Sequence, residues 1–184
     1  MFVRPCNMGS SVGVSKVHTA AELGDAVDFR PQVRPQGHGR GIGGGCPRGR
    51  VAVLGNDHPE ASPLGEIVPG AEFYNYETKY IDDKSQLIVP APLDESVAAE
   101  VRAMSVAAFR AVGALGPARV DFLVRREAPR VLVNEINTMP GFTPISMYPK
   151  LWQHAGISYG ALIDRLVELA RERRAEVAGL ATSR

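Results

Sequence analysis

Cysteine is scarce in this chain: Cys6 and Cys46 are the only two among 184 residues. They are too few for a disulfide framework and show no metal-ligand spacing. An excess of either charge is also missing. The formal net charge of +1 gives no general reason to expect nucleic acid or membrane as a partner. No apolar run approaches the length of a membrane span, and the N-terminus lacks the charged-then-apolar order of a signal peptide. A cytoplasmic protein is the resulting expectation. His18, His38, His58 and His154 have no nucleophile or ligand pattern beside them, so all four read as non-catalytic. No internal repeat is visible.

Apolar residues make up 45% of the chain, enough for a core, over a length that suits one ordinary domain or a small piece plus a domain. Residues 1–17 read as strand (Phe2-Val3), polar loop and strand (Val12-Gly13-Val14). Thr19 and Glu22 have the spacing of a capping box, which opens a short helix over 20–28. Composition then breaks. Seven of the 19 glycines lie between Gly37 and Gly49, with Arg30, Arg34, Arg40, Arg48 and Arg50 and almost no apolar residue. Such a segment cannot bury a face, so an irregular or disordered loop is expected over 29–50. Val51 through Asn56 resumes as strand and turn. Asp94 is expected to cap a helix to about Val112, with Val97, Val101, Met104, Ala108 and Phe109 on its apolar face; Gly113 and Gly116-Pro117 end it. A last helix spans about 159–174, its apolar face being Leu162, Ile163, Leu166, Val167 and Leu169-Ala170.

The chemistry concentrates between Arg119 and Met147. Val120-Asp121-Phe122 and Val133 through Asn137 lie on two apolar runs joined by Arg125 through Pro129, the pattern of adjacent antiparallel strands. Glu135 and Asn137, two apart, share a face, and Asp121 can join them from the neighbouring strand. Two carboxylates and an amide oxygen suit a hard cation such as Mg²⁺, which keeps waters and substrate phosphates as its other ligands. The alternative is a hairpin whose polar residues face solvent. Arg119 shares the face of Asp121, either as a clamp for developing charge or as a salt-bridge partner of Asp121 or Glu135. Pro140-Gly141-Phe142-Thr143 makes a turn whose Gly141 N–H could serve an oxyanion, and Ser146 could meet a substrate carboxylate. Gly9-Ser10-Ser11-Val12-Gly13 offers N–H groups and hydroxyls to an anion, and Lys79-Tyr80 offers a cation and a phenol.

Arg4-Pro5 with Gly9 through Val17, Gly65 through Pro69, Phe73 through Tyr80, Arg119 through Phe122, and Asn134 through Lys150, in that order, resemble the D-alanine–D-alanine ligase family of the ATP-grasp superfamily. The resemblance covers most of residues 1–27 and nearly all of 51–175. It implies an α+β ATP-grasp fold: residues 51–184 as the C-terminal catalytic subdomain, a mostly antiparallel sheet with flanking helices, and residues 1–50 as a remnant of the central subdomain. It implies ATP and two Mg²⁺ ions, with Mn²⁺ as an alternative, the metals held by Asp121, Glu135 and Asn137. Arg119 and Gly141 would steady the tetrahedral intermediate, and Ser10 and Tyr80 would order a closing loop. Arg4, Phe73, Lys79 and Asn134 would contact the nucleotide, and Ser146 and Met147 the second D-alanine. The family joins two D-alanines through an acyl phosphate for peptidoglycan synthesis, in the cytoplasm, usually as a homodimer, with neither nucleic acid nor membrane as partner.

Three departures accompany the resemblance. Arg4 stands where the family usually has lysine, which keeps the charge but changes reach and geometry. The family's N-terminal domain has no counterpart in these residues. Residues 29–50 match nothing in the family although both flanks do. Without that strand and domain, an inactive fragment is expected. A different class of function, an Arg/Gly-rich module binding RNA or another polyanion, is less consistent with a segment that has no Phe, Tyr or Trp between Arg30 and Arg50.

A displaced reading frame accounts for the gap. Reverse-translated and read one nucleotide later, Arg30 through Arg50 can encode Ala-Leu-Arg-Tyr-Asp-Arg-Lys-Val-Met-Val-Glu-Glu-Ser-Ala-Val-Asp-Ala-Arg-Glu-Val-Glu, which leads directly into Val51. That peptide resembles the family's adenine-binding strand and hinge. The coding DNA, read in the shifted frame, is expected to spell this strand; any other peptide there would dismiss the frame displacement.

Overall fold

The computed structural model describes residues 2–3, 15–17, 19–22, 24, 48–68, 86–125 and 130–180. The chain divides into two compact units, residues 1–46 with 68–86, and residues 47–67 with 87–184. In the first, β1 (Phe2–Val3) pairs antiparallel with β2 (Ser15–Lys16). That second strand lies just beyond the expected 12–14, which fall outside the described residues. The N-cap bond expected at Thr19 is present: Glu22 N donates to Thr19 Oγ1 at 3.4 Å, and the Glu22 carboxylate accepts from the Thr19 hydroxyl at 3.0 Å. The rest of the helix expected to residue 28, beyond Gly24, is outside the described residues.

The second unit is built on an antiparallel sheet. Its strands are β3 (Arg48–Gly55), β4 (Glu60–Ala61), β5 (Gly65–Val68), β6 (Gln86–Ile88), β7 (Gly116–Arg125) and β8 (Arg130–Asn137). The order is β6-β5-β3-β7-β8, with β4 also paired to β3. β3 begins at Arg48, three residues before the composition recovers. The last three residues of the arginine- and glycine-rich segment are therefore strand, because β5 on one side and β7 on the other satisfy their backbone. Gly55 ends β3 at φ 143°, and a Cβ there would meet Pro59 Cα at 2.8 Å, so the reversal into β4 requires glycine.

Alternation along β3 and β7 divides the core in two. Val51, Val53, Ala118, Val120, Phe122 and Val124 face helix α1 (Glu95–Ala111), which contributes Val97, Val101 and Phe109. Ala52 and Leu54 face helices α2 (Met147–His154) and α3 (Tyr159–Gly179), which contribute Tyr148, Leu151, Trp152, Leu162 and Leu169. Each large side chain buried this way contributes about 1.5–3 kcal/mol. Asp94 occupies the N-cap position of α1, but its side chain makes no capping hydrogen bond, contrary to expectation. Gly113, at φ 62°, ends that helix in the left-handed conformation, as its position predicts.

α3 runs five residues past the expected 174. The added residues, Ala175 through Gly179, are all exposed, and Glu176 among them pairs with Arg173 at 3.0 Å. Its apolar face is narrower than the sequence suggests: Leu162 and Leu169 are buried, while Ile163, Val167 and Ala170 are exposed.

α2 is fastened to the sheet by Tyr148, whose hydroxyl donates to the carbonyl of Val53 at 3.0 Å in a buried setting. Burial pushes the Tyr148 phenol above its ordinary value of 10.0. An unfolded chain releases this proton near pH 10 while the folded chain retains it, so stability present below pH 10 is lost as pH rises further. Urea unfolding is expected to show that decline. Y148F should be about 1 kcal/mol less stable at neutral pH and should decline less steeply above pH 10. An unchanged slope would assign the alkaline loss to other groups.

Candidate active site

β7 and β8 are adjacent, and the pairing places Asp121 opposite Glu135 and Arg119 opposite Asn137. On the other side of β7, Arg50 of β3 lies opposite Asp121 and Ala52 opposite Arg119. Residues directly opposite in a ladder share a face. Two rows result, Arg50–Asp121–Glu135 and Ala52–Arg119–Asn137, on the sheet face that α2 and α3 cover beside Ala52 and Leu54. The polar rows continue that face beyond its apolar part.

Asp121 is buried at the centre of the cluster. Arg119 Nε donates to its Oδ1 at 2.6 Å and Arg119 Nη2 to its Oδ2 at 3.0 Å, a two-pronged contact. Arg50 Nε lies 3.4 Å from Oδ2. All three side chains are nearly enclosed, at 11–15% exposure. Glu135 is half exposed and lies 3.8 Å from Arg119 Nη2. Asn137 Oδ1 accepts from Met139 N at 3.1 Å, which fixes its amide as β8 runs into the following turn. The salt-bridge role foreseen for Arg119 is thus realised.

The donors match a hard cation in kind, being two carboxylates and one amide oxygen on a single face. Among the described residues, no three or more His, Cys, Asp or Glu side chains gather as a metal-binding group. A cation at Asp121 would also have to share that carboxylate with two guanidinium groups. The pairing skips Asn134 where the β7–β8 register shifts between Asp121 and Phe122, so this exposed residue lies in a bulge. It does not join the two rows.

The loop after β8 is shaped by its own side chains. Ser146 Oγ accepts from Thr143 N at 3.1 Å and lies 2.8 Å from Thr143 Oγ1. A Cβ at the exposed Gly141 would stand 3.1 Å from that same hydroxyl, so glycine allows the turn to close tightly over Ser146. Tyr159 donates to the carbonyl of Phe142 at 3.0 Å and packs against its ring at a centroid separation of 5.3 Å, tying the loop to α3. Met147 opens α2, half-buried against the second core cluster. Arg4, Ser10, Phe73, Lys79 and Tyr80 lie outside the described residues.

Sequence reasoning missed Arg50 and Tyr159. Arg50 was recoverable, since extending the strand back one residue from Val51 puts it on the face of Ala52. The glycine and arginine content of its surroundings hid the strand.

An antiparallel sheet flanked by helices, with an Arg–Asp–Glu–Asn cluster across its last strands, has the architecture of ATP-grasp enzymes. The comparisons narrow the class. The family model for the D-ala D-ala ligase C-terminus matches residues 1–168, and the chain belongs to that family. It is 48% identical over 179 residues to the D-alanine–D-alanine ligase of Acetivibrio thermocellus, covering 94% of this chain and 46% of that protein. It is 50% identical over 179 residues to the enzyme of Halothermothrix orenii, covering 94% and 50%. Among solved structures, the D-alanine-D-alanine ligase from Coxiella burnetii superposes with a TM-score of 0.74 at 38% identity, covering 96% of this chain and 46% of that one. The VanG D-Ala:D-Ser ligase from Enterococcus faecalis gives 0.72 at 29% identity, covering 91% and 48%. The chain spans about half the length of the curated relatives it matches. A polyanion-binding module finds no support here, and among the described residues no helix is long and apolar enough to cross a membrane.

Removing the Asp121 charge leaves two nearly enclosed guanidinium groups without their shared anion. D121N is expected to cost about 3 kcal/mol in urea unfolding, and E135Q, at a half-exposed partner, less than about 1 kcal/mol. Equal costs would mean that Asp121 is not the electrostatic centre of the cluster.

Proposed function

We propose that this chain carries the catalytic half of an ATP-dependent D-alanine–D-alanine ligase, which supplies the dipeptide for peptidoglycan synthesis. The observation that carries the reading is the double row of Arg119, Asp121, Glu135 and Asn137 on one sheet face, in a chain of this family. In the reaction, one D-alanine carboxylate takes the γ-phosphoryl of ATP to give an acyl phosphate and ADP, and the amine of a second D-alanine then attacks it, releasing inorganic phosphate and a proton. Asp121, Glu135 and Asn137 would hold two Mg²⁺ ions, or Mn²⁺, against the phosphates of ATP. When bound, the metal would offset charge on the transferred phosphoryl group and align it.

The remaining work falls to this chain's own groups. Arg119, oriented by Asp121, presents a fixed cation beside the reacting carboxylate, and the Gly141 N–H would serve the tetrahedral oxyanion. Ser146 and Met147, at the start of α2, would meet the carboxylate of the second D-alanine. Arg4, Phe73, Lys79 and Asn134 would contact the nucleotide, while Ser10 and Tyr80 order the closing loop. Residues 51–184 would be the C-terminal subdomain and residues 1–50 the remnant of the central one. A cytoplasmic location and homodimeric assembly follow the same family reading.

Metal ligands alone do not position two amino acids and a nucleotide, and positioning supplies much of the rate. The 184-residue chain by itself is therefore expected to release no phosphate from ATP, Mg²⁺ and D-alanine. The site itself can be tested in a chimera of the Halothermothrix orenii ligase that takes residues 51–184 of this chain in place of its matching stretch. That chimera should make D-alanyl-D-alanine, and R119A should lower its kcat by about 10²–10³-fold. A folded chimera that makes no dipeptide would defeat the reading, as would D-alanine-dependent turnover by the isolated chain for the claim of inactivity.

A further inference from the structure

Arg50 is the residue that neither the proposed reaction nor the core accounts for. It stands at a strand position facing Asp121, 12% exposed, with Nε 3.4 Å from the carboxylate that should be the innermost metal ligand. The formal charges of the cluster then cancel, with Arg50 and Arg119 against Asp121 and Glu135. A divalent cation entering this row meets no net negative charge, and it meets a guanidinium already lodged against its first ligand. Read one nucleotide later, this same position can encode glutamate.

We propose that Arg50 is a built-in cation that occupies the divalent-metal position at Asp121 and so suppresses metal binding by this chain. The inference rests on the reading of Asp121, Glu135 and Asn137 as a cation site. It assigns Arg50 a competitive role: the guanidinium and a divalent ion compete for Oδ2 of Asp121. Competition of this kind depends on charge, so affinity for the metal should climb as positive charge at residue 50 is removed and then reversed. Opposing unit charges a few ångströms apart near a protein surface interact strongly enough that each step should exceed about tenfold.

The test is Mn²⁺ alone, followed by loss of the free-ion signal in electron paramagnetic resonance, with the full chain and with R50K, R50M and R50E. Cooperative thermal unfolding of each form confirms that it is folded. R50M keeps the apolar stem of the arginine, so it serves if R50E does not fold. The expected result is weak binding for the unmodified chain and R50K, at least about tenfold tighter binding for R50M, and tighter still for R50E. D121N placed on R50M or R50E should abolish the gain. Binding equally tight in all four forms, and lost with D121N, would overturn the role of Arg50 while leaving the metal site standing. Absence of Asp121-dependent binding in every form would overturn both.

Discussion

The pleat of β7 is the constraint on which the second unit depends. Successive residues of a strand must point to opposite faces, so Val120, Phe122 and Val124 enter the α1 core while Arg119 and Asp121 emerge on the other side. β3 and β8 pair with β7 on its two sides and copy that alternation outward. A one-residue slip would put a carboxylate into the α1 core and Val120 into the polar rows. Core and site are thus two products of one register, and mutations that loosen the core are coupled to the site through it.

The same geometry explains why the cluster is both stable and electrostatically quiet. Asp121 is enclosed by sheet and guanidinium groups, and an enclosed carboxylate requires such partners. Arg119 meets that need with two hydrogen bonds. Arg50 adds a second cation from β3. In a working phosphoryl-transfer site the balance at such a carboxylate would be set by metal and phosphate. Here side chains set it, through the contacts of Arg119 and Arg50 with Asp121.

Much of this was legible in the sequence, for identifiable reasons. Two short apolar runs around a charged, Pro-containing connection specified the hairpin but not its register: carried on from Phe122–Val133, the pairing would set Asp121 opposite Asn134, and the bulge brings Glu135 there instead. The burial of Val97, Val101 and Phe109 followed from helical spacing. Three things were hidden. β3 starts within a stretch whose composition argues against strand, because pairing with two neighbours outweighs propensity. The end of α3 buries no side chain and carries the surface ion pair Arg173–Glu176, so no apolar stripe marks it. The bulge at Asn134 arises from the pairing of two strands, which no single segment encodes.

Asp121, Glu135 and Asn137 share one sheet face, and the proposed role of that face is to bind a cation. Line broadening by Mn²⁺ in ¹⁵N–¹H spectra of the R50M protein maps that face residue by residue. The amides of 119–121 and 135–137 are predicted to broaden first, with those of 97–109 in α1, across the sheet, unaffected at the same metal concentration. Broadening centred anywhere else, or spread evenly over the chain, would contradict the site.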